Sequence, residues 1–141
     1  MTPKPLALLA LAFLVAACSS GRLPDPPEAD RSRGFQAIPE VVRTAARAHF
    51  EAEGFRPVAG TARGGEAWER AATGSGAMIG PATERITATV APGEGGEGSH
   101  LVLLLRYTRA DGAQVSVTPL LTRMEYARHL DGISARVPAG R

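Results

Sequence analysis

Three histidines, fourteen acidic residues and a single cysteine bound the chemistry open to this 141-residue chain. His129 and Asp131, with Glu125 one turn earlier, form its tightest titratable cluster. Glu125 and His129 stand at i and i+4, a spacing at which carboxylate and imidazole meet on one helix face. A hydrolase built on such a pair also needs a nucleophile and an oxyanion donor. Ser134 is the nearby hydroxyl, but no Gly-x-Ser-x-Gly elbow frames it, and a solvated ion pair accounts better for the cluster. His49 falls in an apolar stripe, where a histidine ordinarily sits at the core margin with one nitrogen bonded to backbone or water.

Residues 92–99 read Pro-Gly-Glu-Gly-Gly-Glu-Gly-Ser. A glycine-rich loop cradles phosphate when its N–H groups feed a helix N-terminus. Here a strand follows, opened by His100, and two glutamates would repel an anion, so the segment reads as a hairpin tip. Glu94, Glu97 and His100 lack the ligand-pair spacing of a metal site. No metal and no cofactor is expected. Trp68, Tyr107 and Tyr126 are candidates to line an apolar ligand pocket between sheet and helices, although in so small a domain such aromatics more often fill the core.

The N-terminus carries an address. Lys4 precedes an unbroken apolar run over residues 6–17. The run is about 12 residues long where a spanning helix needs about 20, and a charged start, a short apolar run and small residues at its end make the layout of a secretory signal. Its last residues, Val15-Ala16-Ala17-Cys18, resemble the lipobox of bacterial lipoproteins. That resemblance implies cleavage between Ala17 and Cys18 and a diacylglyceryl thioether on Cys18, with further acylation of the new amine in many species. Two or three acyl chains anchor a protein stably where one does not. The lone cysteine of the chain stands at the position where lipidation would use it, which also removes it as a thiolate. Ser19 follows; without an aspartate there, the usual sorting rule of such lipoproteins implies the periplasmic face of the outer membrane in a host with two membranes.

The remaining composition argues against other classes. One cysteine excludes a disulfide scaffold, and the length fits a single domain. Net charge is +2, and the arginines are scattered among acids without a basic stripe, so no nucleic-acid partner is expected.

These groups must be positioned by few elements. Residues 18–34 are rich in proline and serine with Leu23 their only large aliphatic side chain, and read as a tether after the 1–17 signal. A single domain is expected over 35–137, followed by a tail at 138–141. Pro39, Glu40 and Gly54 delimit a first helix with Ile38, Val41, Val42, Ala45 and Ala52 along one face. Alternation over 85–91, an apolar run over 100–108, an Asp111-Gly112 turn and alternation over 113–118 predict strands, with another over 66–71 around Trp68. Thr122 and Glu125 match a capping box opening a last helix, in which Gly132 costs about 1 kcal/mol and marks a possible break. The expected fold is α+β: an N-terminal helix, about four antiparallel strands and a C-terminal helix packed as a two-layer sandwich.

With an anchor, a tether and no catalytic constellation, the sequence points to a non-enzymatic binding or assembly module of the bacterial cell envelope. It would be held at the lipid bilayer through acylated Cys18, with another envelope protein or a lipid-like ligand as partner. The rival is a small envelope hydrolase or metal-dependent enzyme using His129, Asp131 and Glu125. The helix-free face of the sheet is a further candidate surface.

Overall fold

The computed structural model describes residues 24–61 and 64–139. The signal-like run, Ala17 and Cys18 lie outside the described residues. In chain order the first elements are α1 (Glu28–Arg31), β1 (Ser32–Phe35), α2 (Pro39–Ala52), β2 (Arg56–Val58) and β3 (Glu66–Ala71). A 3-10 turn over Gly74–Ile79 leads to β4 (Ala82–Pro92), and another over Glu94–Gly96 to β5 (Ser99–Arg109). β6 (Gln114–Val115) and α3 (Pro119–Ser134) complete the chain. The fold is α+β. No helix among the described residues is long and apolar enough to cross a membrane.

β4 and β5 form the spine, paired antiparallel from Ala82 opposite Arg109 to Pro92 opposite Ser99. β3 and then β2 extend the sheet beyond β4, while β1 and β6 share the other edge of β5. The sheet therefore has six strands, more than the four expected, because the short β1 and β2 carry too few residues to show a period. The Asp111-Gly112 turn does close a hairpin: Gly112 N donates to Arg109 O and Arg109 N to Ala113 O, each at 2.9 Å. Its second strand is only two residues long.

Alternation decides which face the helices cover. Leu101, Leu103, Leu105 and Tyr107 of β5 are buried on one face, while Val102, Leu104, Arg106 and Thr108 are half-buried on the other. Ile86 and Ala88 of β4 and Trp68 of β3 share the buried face with Val42, Ala46 and Phe50 of α2 and Tyr126, Leu130 and Ile133 of α3. Pro39 at the first helical position opens α2, and Gly54, in the left-handed region at φ 83°, turns the chain out of it so that Phe55 N reaches Phe50 O.

Three sequence expectations need correction. The 18–34 stretch is not tether throughout, since α1 and β1 form within it. Hydrogen bonds rather than apolar burial order this segment: Arg31 donates to Pro26 O and Leu103 O, and Arg33 to Asp131 and Ser134. The last helix starts at Pro119, not at Thr122, because proline suits its first turn. Thr122 lies inside the helix, where Oγ1 donates to Thr118 O at 3.1 Å, so the capping box does not form. Nor does Gly132 break the helix. A Cβ there would lie 2.3 Å from His49 Cε1, so the glycine is what lets the imidazole of α2 pack against α3.

Candidate functional site

Two sites deserve comparison, one polar and buried, the other apolar and open. The polar one grows from the helical stripes themselves. His49 follows Val42, Ala45 and Ala46 on the buried face of α2, and His129 sits between Tyr126, Leu130 and Ile133 on that of α3. Packing the two stripes together brings His49 Nε2 within 3.0 Å of His129 Nδ1. Arginine can only donate, so Arg128 Nη2 at 3.2 Å makes His129 Nε2 an acceptor. The His129 proton then lies on Nδ1 and is donated to His49. Arg136 Nη1 stands 3.4 Å from His49 Nδ1 and donates to Gly132 O at 2.9 Å. Burial, reinforced by the neighbouring His129, pushes His49 down to about 4.

Glu84 faces this pair from the sheet. Its carboxylate is 1% exposed, receives Arg70 Nε at 2.8 Å and lies 4.0 Å from His129 Nε2, too far for a hydrogen bond. Burial opposes its ionisation, yet its carboxyl is held below the usual carboxylate range, with the Arg70 guanidinium as the cation in contact with it. Arg70 also donates to Glu53 O at 2.7 Å and lies over the Phe55 ring, 4.2 Å from its centre. Arg128 bridges Glu53 at 2.5 Å and Glu125 at 3.0 Å. Among the described residues, Glu84, Glu125 and His129 are the acidic and imidazole groups whose ligand atoms converge, all within 4.8 Å of one another.

The apolar site is a groove of about 660 Å³ between the segment from Pro24 to Asp30, the end of β5, residues 115–117 and the start of α3. It exists because β1 pairs only as far as Val102 of β5 and β6 begins only at Tyr107. In the gap Arg31 donates to Leu103 O, and Leu105 N donates to the Tyr126 hydroxyl at 2.8 Å. The strand edge is thus satisfied by side chains, leaving a trough instead of another strand. Pro26, Leu105, Val117, Leu120 and Tyr126 give it apolar walls, and Leu120 is 67% exposed at its edge. Arg106 pairs with Asp25, and Arg123 with Asp30 at 3.1 Å, which fastens the N-terminal segment across the groove.

Tyr107 and Tyr126 reach the groove, whereas Trp68 packs in the core against Phe50, 4.8 Å between ring centres. Glu125 and His129 come together, but Asp131 points away and binds Arg33 at 2.9 Å, because i and i+2 lie on different sides of a helix. Ser134 is held by Arg33 and by Leu130 O. His100 faces Glu28 at 3.3 Å, and Glu94 and Glu97 stay in their turn without joining it. The large apolar side chains left exposed, Ile38, Leu120 and Met124, are not on the helix-free sheet face. Glu84 and Arg70 were missed. Both continue the buried phase of their strands, Glu84 two before Ile86 and Arg70 two after Trp68, and that parity was the available signal.

Comparison with protein-family models and with curated proteins finds no match to this sequence.

Proposed function

We propose that this protein is a lipid-anchored module of the bacterial cell envelope that binds a lipid-like ligand, taking its apolar chain into the groove beside α3. The groove is the observation that carries this reading. Its volume falls within the range of ligand sites, about 300–1,000 Å³, and its walls are mostly apolar with a few polar groups at the mouth. The position of the groove supports the choice of ligand. Five residues separate Cys18 from Pro24, at most about 20 Å of extended chain from one Cα to the other, so acylation of Cys18 would hold the groove close to the bilayer surface. Its lining includes Pro24 and Asp25, the described residues nearest in sequence to Cys18.

A binding role fits the polar site as well. His129 has no exposed surface, and the third member of the imagined catalytic cluster, Asp131, is engaged elsewhere. A hydrolase using His129, Asp131 and Glu125 would need all three at one accessible point.

Titration of the secreted domain with a fluorescent long-chain fatty acid tests the reading. Saturable uptake is expected, weakened at least about tenfold by Leu120→Asp, which sets a charge against the buried chain. Because Leu120 is exposed, its thermal midpoint should stay within a few degrees of wild type. Uptake that fails to saturate, or that Leu120→Asp leaves unchanged, would rule out the groove as the binding site.

A further inference from the structure

The buried polar site is unfinished in one respect: the Tyr107 hydroxyl is buried and, among the described residues, no protein group bonds it. Tyr107 stands directly opposite Glu84 across the β4–β5 ladder, so the two side chains share the covered face, and the residue is only 4% exposed. An orphaned hydroxyl costs stability unless a group outside the protein answers it.

We propose that Glu84, Glu125 and His129 form a site for a divalent cation of the zinc class, with the unanswered Tyr107 hydroxyl of the same covered face as the candidate for a fourth contact. The donor set is one imidazole and two carboxylates, which suits borderline first-row cations such as Zn²⁺ better than Mg²⁺ or Ca²⁺. The surroundings are those of a prepared ligand shell. His49 takes the Nδ1 proton of His129 and leaves the Nε2 lone pair for the metal, as an outer partner of a ligating histidine does. Arg70 holds Glu84 by Oε2, which leaves Oε1 facing His129. Arg128 is the competitor: its guanidinium stands 3.2 Å from His129 Nε2, where the metal would bind. Its side chain is 41% exposed but bound to Glu53 and Glu125, so a cation at this position would have to displace the guanidinium from both carboxylates. The metal would join β4 to α3 beneath the surface, a structural clamp instead of a catalytic centre.

Isothermal titration of the EDTA-stripped protein with Zn²⁺ tests this, with Mg²⁺ run in parallel. One Zn²⁺ per chain is expected, with a rise in unfolding midpoint and little response to Mg²⁺. Glu125→Gln should weaken Zn²⁺ binding at least about tenfold. Tyr107→Phe should fold as well as wild type without metal, since it deletes an unanswered hydroxyl, and bind Zn²⁺ more weakly. Arg128→Ala should bind more tightly, because a competing positive charge is gone, and Asp131→Asn should bind as wild type does. The proposal fails if Zn²⁺ does not bind saturably, or if binding survives Glu125→Gln and is lost on His100→Ala, which would place the ion at the exposed His100–Glu28 pair. It fails equally if Arg128→Ala and Glu125→Gln weaken binding alike, since Arg128 would then be a support of the site and not its competitor.

Discussion

Replacing Glu84 by alanine is expected to cost about 3–5 kcal/mol of folding stability, the range for breaking a buried ion pair by removing one partner. The reason is what remains. Arg70 is largely buried, its guanidinium fixed by Glu53 O and by the Phe55 ring, so it cannot retreat into water when its carboxylate disappears. His129 loses the acid that faces it across 4.0 Å. Urea denaturation in EDTA measures the loss without interference from metal. The double variant Glu84→Leu with Arg70→Met should recover most of it, because an apolar pair of similar volume strands no charge. A single-variant loss below about 1 kcal/mol would mean that water reaches the pair and that the site is not the dry cluster described above.

The second large effect is an acid transition centred on His49. Its folded-state value of about 4 lies well below the ordinary 6.5 of a free imidazole. Between these values the unfolded chain binds a proton that the folded chain refuses, so stability falls as pH falls through the window. The full contribution is present above pH 6.5 and is lost by about pH 4, for a total of about 3 kcal/mol, with about 2 kcal/mol gone by pH 5. Glu84 and Glu53, held below the ordinary carboxylate value of 4.5, add losses only at the acid end of this range and beyond it. Urea midpoints at pH 7, 6 and 5 report the slope, and His49→Gln should flatten it. A wild-type stability that does not change from pH 7 to pH 5 would contradict the buried, neutral state of His49.

The architecture was legible where elements are long and periodic. Ile86, Ala88 and Val90 against Thr87 and Thr89 fix the faces of β4, and the stripe from Val42 to His49 fixes the buried side of α2. β1, with four residues, and β2, with three, are too short to declare a period, and they take their form from their longer neighbours. The N-terminal segment misled for a physical reason: its proline and charge content argues against apolar burial, yet four arginines, Arg31, Arg33, Arg106 and Arg123, dock it by hydrogen bonds and ion pairs. The polar site was half legible. His49 and His129 each fall on a buried stripe, but their meeting depends on Gly132 opening the crossing of α2 and α3, a fact of packing and not of local pattern. The groove, which comes from a gap between two short edge strands, left no trace in the sequence beyond Tyr107 and Tyr126.

An anchored binding module stands or falls on its attachment, and one measurement addresses it: metabolic labelling with a fatty-acid analogue, wild type beside Cys18→Ala, followed by membrane fractionation. The account predicts label on wild type alone, with the protein in the membrane fraction and the unlabelled variant released from it. Unlabelled wild-type protein, cleaved near Ala17 and recovered free of membrane, would contradict it.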